Sequence, residues 1–282
     1  MLPTFVIFLR EGIEASMIIA ILLSYLAKID QRQRFRDVYW GVASALGLVA
    51  IGGVAAYLLI ERYNGSNVQT YFETTTYVLA TAILTGMTLW MHAHAPTMAG
   101  ELRSRSDLAL SRSERFGLGL LAFQAVGREG LETMVFTLAI IFASTRQAAT
   151  PLQGNGLLIG ALLGLAVALA LAVAIYRLGT RLNFKIFFRV LGVLLMFFAA
   201  GLLVDAIQNL QELGWLPFGT HVLWNTSGAL AESSNLGDLL HSFLGYADHP
   251  TILQGAVWVL YVAASLVAFS LLGRSRTPKV RA

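Results

Sequence analysis

The 282-residue sequence contains no cysteine. Disulfides, thiolate metal sites and cysteine nucleophiles are therefore excluded. Charged residues are also scarce, at 13% of the chain, where soluble domains carry about 25%. With so few charges the chain cannot cover a water-facing surface, which excludes an ordinary soluble enzyme and a disordered protein. Hydrophobic residues make up 56% of the chain and the mean hydropathy is +0.67, which is typical of an integral membrane protein.

Seven apolar stretches are long enough to cross a bilayer, which takes about 20 mostly apolar residues in a helix. The predicted spans are 3–27, 39–60, 72–95, 116–144, 156–178, 184–208 and 252–273. We expect the first span to be retained rather than cleaved as a signal peptide, because it lacks a basic N-terminal region and carries charges in its middle. The sequence thus predicts an all-α, polytopic membrane protein with seven transmembrane helices.

The lysine and arginine residues predict the orientation, because they are retained on the cytoplasmic side of a membrane. Sixteen of the 20 lie in or near the connections after spans one, three and five and in the C-terminal tail, all on one side of the predicted spans. The opposite connections hold only Arg62 and Arg146. We therefore expect the N-terminus outside and the C-terminus inside. The basic net charge of +4 reflects this topology and not a nucleic-acid-binding surface.

Two spans carry nearly the same charged motif. Residues 10–14 in span one read Arg-Glu-Gly-Ile-Glu, and residues 128–132 in span four read Arg-Glu-Gly-Leu-Glu, at a constant offset of 118. Each charge within a span costs about 2.5–3.5 kcal/mol on insertion scales, which argues against an accidental repeat. Because spans one and four run in opposite directions, we predict an inverted pair of three-helix repeats, as in alternating-access transporters.

The predicted organisation is a single transmembrane permease domain over residues 1–282. Its parts are a first repeat, 1–95, a second repeat, 116–208, an external loop, 209–251, a seventh helix, 252–273, and a cytoplasmic tail, 274–282. The external loop holds acids and histidines but no lysine or arginine. A connection of this length is usually functional or structured, so we interpret it as a cap or a cation-gathering vestibule. Within it, residues 223–244 are expected to form an amphipathic or partly re-entrant helix.

The spacing within each motif places its charges on one face of a helix. Residues at i and i+4 lie nearly in line, so the arginine of each motif can pair with the second glutamate. The two glutamates, at i and i+3, share a face, and the glycine between them permits close approach of another helix. The residues concerned are Arg10, Glu11, Gly12 and Glu14 in span one, and Arg128, Glu129, Gly130 and Glu132 in span four.

If the two motif faces meet, four carboxylates and two guanidinium groups converge with a net charge of −2. Such a cluster in a low dielectric requires protons or a cation to compensate it. Carboxylate oxygens are hard donors that suit Mg, Ca, Mn and iron ions. The opposing interpretation is that each Arg–Glu pair is an intrahelical salt bridge that only neutralises itself. That interpretation leaves Glu11 and Glu129 without a local partner, and unpaired acids within a membrane are usually functional.

The paired motifs resemble those of the high-affinity iron permeases, a family that includes the fungal ferric permeases and the bacterial EfeU branch. Residues 197–207, Trp90-Met91 and Leu244-Gly245-Tyr246 are also similar to the bacterial branch, so the resemblance covers essentially the whole chain. The motifs depart from the family pattern at Ile13, where leucine is usual. This substitution keeps the side-chain volume.

The resemblance implies import of iron, as Fe²⁺ or Fe³⁺, across the plasma membrane, which in a bacterium is the inner membrane. It implies that the motif glutamates, Glu11, Glu14, Glu129 and Glu132, ligate the ion, and we expect the motif arginines and glycines to support the site. No permanently bound cofactor is expected, because iron is the transported substrate. Family members work with a separate extracytoplasmic iron-handling protein, which is a multicopper oxidase in fungi and an EfeO- or EfeB-like protein in bacteria.

Four further residues are candidates for the ion's pathway. Asp205 lies toward the outer end of span six and Glu73 at the outer start of span three, where each either attracts cations or simply occupies a helix end. His92 and His94 close span three on the cytoplasmic side. Residues at i and i+2 point about 200° apart on a helix, which favours an interfacial position over shared metal binding.

Two alternative functions stay open. The first is a proton-coupled carrier of another hard divalent cation such as Mn²⁺. The second is an intramembrane enzyme, or a scaffold in which the charge clusters hold helices together. We expect a transporter rather than an enzyme, because the sequence shows neither a nucleophile motif nor histidine ligands suited to an activated metal-bound water.

Overall fold

The computed structural model describes residues 2–63, 66–94, 117–147, 152–178, 184–232 and 234–274. In this part of the chain the fold is all-α, with eight α-helices and one isolated β-bridge between Val222 and Thr251. The helices are α1 (Leu2–Lys28), α2 (Phe35–Arg62), α3 (Asn67–His94), α4 (Gly117–Gln147), α5 (Leu152–Leu178), α6 (Phe184–Glu212), α7 (Asn235–Leu244) and α8 (Ile252–Arg274).

Each predicted span coincides with one long helix, and no end differs by more than five residues. Within the described residues, four segments are long and apolar enough to cross a membrane: Arg32–Ile60, Gly156–Ala174, Phe187–Glu212 and Ile252–Leu272. Helices α1 and α4 are continuous over 27 and 31 residues, but the charged motifs interrupt their apolar sequence. Helix α3, with 28 residues, is rich in threonine. That these three also cross the membrane stays a prediction.

The chain divides into two compact units. The first unit comprises Met1–Asn64, Pro96–Thr137 and Gly154–Leu182, and so contains α1, α2, most of α4 and α5. The second unit comprises Gly65–Ala95, Leu138–Gln153 and Asn183–Ala282, and contains α3, the end of α4, α6, α7 and α8. Each unit therefore holds helices from both predicted repeats.

Glycines bring the helices of the first unit into backbone contact. A Cβ atom at Gly41 in α2 would lie 2.1 Å from the carbonyl oxygen of Gly119 in α4. A Cβ atom at Gly164 in α5 would lie 2.5 Å from the carbonyl oxygen of Phe5 in α1. Because the obstructing atoms belong to the backbone, a side chain at either position would force the two helices apart. These contacts set how closely α1 packs against α5 and α4 packs against α2.

In the second unit, α6 packs most extensively against α3 and then against α8. The hydroxyl of Thr81 in α3 donates a hydrogen bond of 3.2 Å to the carbonyl of Ala199 in α6. The short helix α7 lies on α6 and ends at Gly245, which adopts a left-handed conformation with φ of 67°. A Cβ atom at Gly201 would lie 3.0 Å from the Gly245 Cα atom, so the two backbones touch.

The end of α7 therefore contacts α6 eleven residues before α6 ends, which is about 16 Å back along the helix at 1.5 Å per residue. Part of the connection between α6 and α8 thus folds back along α6. A helix is present within 223–244, and its re-entry into the membrane stays a prediction. The helical part is shorter than predicted, because it begins only at Asn235. Ser234 caps it by accepting a hydrogen bond from the Gly237 amide, and turns and extended chain precede it.

Candidate metal site

Three motif glutamates converge inside the first unit. Glu11 and Glu14 of α1 and Glu129 of α4 each place a carboxylate oxygen within 4.8 Å of the other two. All three side chains are buried. In the described part of the chain this is the one group of three or more potential metal ligands that lie so close together. The predicted meeting of the two motifs is therefore observed for three of the four acids; we call these three residues the carboxylate cluster.

The fourth acid, Glu132, lies one helical turn beyond Glu129 and is also buried. Its Oε1 atom accepts a hydrogen bond of 2.9 Å from the Nε atom of Arg128, which is the pairing that the i, i+4 spacing predicts. Its second carboxylate oxygen, Oε2, has no hydrogen-bond partner among the described residues. Glu132 thus borders the carboxylate cluster without completing it.

Arg10 holds the two acids of its own motif. Its Nη1 atom lies 3.1 Å from Oε1 of Glu11, and its Nε atom lies 3.1 Å from Oε1 of Glu14. The expectation that Glu11 lacks a local partner is therefore wrong. Neighbouring residues do not face each other on a helix, but the long Arg10 side chain bends to donate a hydrogen bond to the Glu11 carboxylate, and both side chains are buried.

The two motif arginines differ in exposure although their sequence contexts match. The Arg10 side chain is 3% exposed, whereas the Arg128 side chain is 50% exposed. Charged side chains within membrane-spanning segments almost always face the protein interior or a water-filled cavity. The first motif is thus sealed inside the protein, and the second is open on its arginine side.

Several polar atoms of the cluster have no hydrogen-bond partner among the described residues. They are Oε2 of Glu11, Oε1 of Glu14 and Oε2 of Glu129, and Nη2 of the adjacent Arg10 also has none. An unsatisfied buried acceptor costs about 1–3 kcal/mol, and such groups in native proteins call for a specific explanation. Carboxylate oxygens that converge and keep unused acceptor atoms offer a cation the hard ligands it prefers. These oxygen ligands therefore suit a metal ion better than a salt-bridge network in which every polar atom is paired.

The motif glycines dock the two motif helices against other helices. A Cβ atom at Gly12 would lie 2.8 Å from the Ala168 Cβ atom of α5, and one at Gly130 would lie 2.7 Å from a methyl group of Val49 in α2. Each motif helix thus packs closely on the second helix of the opposite predicted repeat. The close approach predicted for these glycines is observed, and the structure identifies α5 and α2 as the partners.

The candidate pathway residues lie in the second unit. Glu73 is buried in α3 and accepts a hydrogen bond of 2.8 Å from the Gln69 side chain. The His92 ring stacks on Phe269 with the centroids 4.0 Å apart, which supports a packing role. The side chain of His94 falls outside the described residues. Asp205 is buried in α6, and its Oδ1 atom lies 3.6 Å from Nε2 of His241.

The sequence did not predict the contact between Asp205 and His241. His241 is 36 positions from Asp205 along the chain, so no periodicity links the two. The available signal was weaker: an acid within an apolar span and histidines in a neighbouring connection that has no lysine or arginine.

Comparison with known proteins shows that the chain is similar to iron permeases. Residues 1–274 match the iron permease FTR1 family. The chain is 36% identical over 277 residues to the ferrous iron permeases EfeU of Shigella sonnei (strain Ss046) and Escherichia coli O157:H7, and the match covers 96% of each protein. It is 33% identical over 281 residues to the ferrous iron permease EfeU of Yersinia pestis, covering 98% of this chain and 95% of the relative. No solved structure matches.

Proposed function

Because this chain belongs to the iron permease FTR1 family, we propose that it imports ferrous iron across the membrane through the carboxylate cluster of α1 and α4. The observation that carries this proposal is the convergence of three carboxylate oxygens within 4.8 Å, from two helices whose motifs are related by a constant offset. The relatives' description as ferrous iron permeases supports Fe²⁺ as the transported ion.

Glu11, Glu14 and Glu129 are the primary ligands in this proposal, and Glu132 is the fourth. The Glu132 carboxylate lies one turn from Glu129, and its partner Arg128 is half exposed. Because Arg128 is only half enclosed by protein, we expect this pair to give way to an ion contact more readily than the enclosed pairs of Arg10. Arg10 keeps Glu11 and Glu14 in position and reduces the repulsion between the acids when the ion is absent.

Charge favours the divalent ion. With every group ionised, the four glutamates and two arginines carry a net charge of −2, which one Fe²⁺ neutralises and one Fe³⁺ overcompensates. Uncompensated charge in a low-dielectric interior is costly. Carboxylates brought together share protons readily, so protons replace the ion in the empty cluster, and proton exchange is the coupling we propose.

The proposed architecture has seven spans, the N-terminus outside and the C-terminus inside, and an inverted repeat. The offset of 118 that relates Glu11 to Glu129 also relates Thr81 to Ala199, which are in contact within the second unit. A pseudo-two-fold axis brings equivalent residues together in this way. The reciprocal glycine contacts, Gly12 against α5 and Gly130 against α2, support the same relation. Rearrangement of the two repeats then releases the ion inside.

We place the protein in the bacterial inner membrane, where the relatives' bacterial origin and the apolar helices support it. A separate extracytoplasmic protein is the proposed source of iron. This assignment rests on the family resemblance alone.

The test is anaerobic uptake of radiolabelled Fe²⁺ into proteoliposomes that contain the wild type, Glu14→Gln, Glu129→Gln or Glu132→Gln. Glutamine keeps the side-chain size but removes the charge that binds the ion. We expect at least a tenfold loss of uptake for Glu14→Gln and Glu129→Gln, and a smaller loss for Glu132→Gln. The matched control is Asp37→Asn, which removes an acid of α2 from a pair with Arg34, just before that helix. Both side chains are about one-third exposed, and this variant should transport normally. Normal uptake by all three properly inserted glutamate variants would reject the assignment.

The same liposomes distinguish the alternatives. A carrier of another hard divalent cation would take up Mn²⁺ in preference to Fe²⁺ when both are supplied. A scaffold would show impaired insertion in the glutamate variants and no ion uptake by the wild type.

A further inference from the structure

The second unit contains a cavity of about 480 Å³, lined mostly by polar residues, that is separate in sequence from the two motifs. Its walls come from the end of α4, from α6, from α7 with the connections on either side of it, and from the start of α8. The acidic and histidine side chains among the lining residues are Asp205, Glu212, Glu232, His241 and His249. Lysine and arginine are absent from its lining in the described part of the chain. The cavity therefore presents a potential that attracts cations.

Two potential ligand atoms face each other at the wall of this cavity. Nε2 of His241 lies 3.6 Å from Oδ1 of Asp205. This separation exceeds the 2.7–3.2 Å of an ordinary N–H···O hydrogen bond. Two ligand atoms that each lie about 2.1 Å from a shared metal ion are about 3.0–3.4 Å apart at octahedral to tetrahedral angles. The observed separation is about 0.2 Å wider than joint coordination of one ion requires and about 0.4 Å wider than a direct hydrogen bond allows. A small approach of the two atoms would therefore place both on one ion.

The tautomer of His241 is fixed by its other nitrogen. Nδ1 lies 2.8 Å from the carbonyl oxygen of Tyr246 and 3.1 Å from Oε1 of Glu232. A carbonyl oxygen can only accept a hydrogen bond, so Nδ1 carries the proton and donates it. In the neutral ring the Nε2 lone pair is then directed toward Asp205. Metal-binding histidines are held by the same arrangement, in which the second nitrogen donates to a carbonyl or carboxylate.

The carbonyl that fixes His241 is itself held in place. The Tyr246 hydroxyl donates a hydrogen bond of 2.8 Å to the Leu230 carbonyl. Gly245 precedes Tyr246 and turns the chain with a left-handed φ of 67°, against the backbone of Gly201. The imidazole orientation is thus determined by α6, α7 and the connection between them before any ion arrives.

We propose that Asp205 and His241 bind a divalent cation in this cavity as a second site, distinct from the carboxylate cluster. Two protein ligands leave most of the coordination sphere to water, so the site exchanges its ion rapidly. Glu232 positions His241 and adds negative charge nearby. In taking the bound ion to be the transported Fe²⁺, with the cavity on the external side, this inference rests on the proposed function. The nitrogen ligand is what separates the two sites chemically, because the carboxylate cluster contains no histidine.

The experiment uses Mn²⁺ as a spectroscopic substitute for Fe²⁺ and the full-length protein in lipid nanodiscs. Pulsed electron paramagnetic resonance detects coupling of bound Mn²⁺ to a directly ligated ¹⁴N nucleus. We expect this coupling in the wild type and in Glu129→Gln. It should be lost in His241→Gln and lost or reduced at least fivefold in Asp205→Asn. The matched control is His221→Gln, which changes an exposed histidine of the same connection that does not line the cavity and should retain the signal.

A wild-type sample without ¹⁴N coupling, or one whose coupling survives in folded His241→Gln, overturns the second site. If His241→Gln aggregates, the Asp205→Asn titration decides, because an unchanged Mn²⁺ affinity of the nitrogen-coupled site contradicts the proposal. Failure of the proposed function has a different signature. In that case the nitrogen coupling is present as described, but Fe²⁺ uptake is absent in the wild type or unaffected by the glutamate variants.

Discussion

Replacing each motif arginine by glutamine should lower the free energy of unfolding by very different amounts. Arg10→Gln removes the partner of two buried carboxylates at 3.1 Å each, from a side chain that is 3% exposed. Breaking a buried ion pair by removing one partner costs about 3–5 kcal/mol, because the remaining charge is left uncompensated. Arg128→Gln removes a partner that is 50% exposed, and exposed pairs contribute about 0–1 kcal/mol. We therefore expect the two substitutions to differ by about 3 kcal/mol, which is roughly a hundredfold in the unfolding equilibrium.

The assay is reversible denaturant unfolding of the purified protein in mixed micelles, with metal ions removed by a chelator. A double variant provides the control: Arg10→Gln combined with Glu14→Gln should recover part of the lost stability, since it also removes one uncompensated charge. Arg10→Lys should fall between the wild type and Arg10→Gln, because lysine keeps the charge but cannot contact both acids with a planar fork. Equal destabilisation by Arg10→Gln and Arg128→Gln would refute the distinction between a sealed and an open motif.

Three further outcomes follow from the geometry. Gly41→Ala should destabilise the protein by about 1–3 kcal/mol in the same unfolding assay, because its Cβ atom would lie 2.1 Å from the Gly119 carbonyl oxygen. The control is Gly47→Ala on the same helix, where a Cβ atom has nothing within 4 Å, so this variant should be neutral or slightly stabilised. Equal losses of stability in the two variants would contradict the packing. Because the chain has no cysteine, Arg128→Cys and Arg10→Cys each introduce a single thiol. A water-soluble maleimide should modify Arg128→Cys and leave Arg10→Cys unmodified, as measured by mass spectrometry. Faster modification of Arg10→Cys would contradict the assigned exposures. Excess Mn²⁺ should inhibit Fe²⁺ uptake and Cu⁺ should not, because the cluster offers hard oxygen ligands; inhibition by Cu⁺ alone would point to a different site.

The helices were predictable because lipid imposes a simple rule on sequence. A span must be apolar and about 20 residues long, so interruptions by charged or polar connections mark helix ends to within a few residues. The meeting of α1 and α4 was also predictable, since charges within a membrane segment are stable only inside the protein or beside water. Because the charged motif occurs twice, each copy was expected to contact the other inside the protein.

The details of the site depended on packing that the sequence pattern does not encode. Helical periodicity pairs Arg10 with Glu14 but gives no reason for the contact with Glu11, which depends on how the buried Arg10 side chain bends. Periodicity also treats Arg10 and Arg128 alike, while their exposures are opposite. The contact between Asp205 and His241 depends on how α7 folds back along α6, and a connection with few regular elements offers no period from which to predict it.

The most direct measurement is anomalous X-ray diffraction at the iron edge from crystals soaked anaerobically with Fe²⁺. Binding by the carboxylate cluster predicts an anomalous peak about 2.0–2.2 Å from oxygens of Glu11, Glu14 and Glu129, at the distances that first-row divalent ions keep from carboxylates. The same peak should disappear in crystals of Glu129→Gln. Iron bound elsewhere in a well-ordered crystal, with no anomalous density between α1 and α4, would contradict the proposal that this cluster is the transport site.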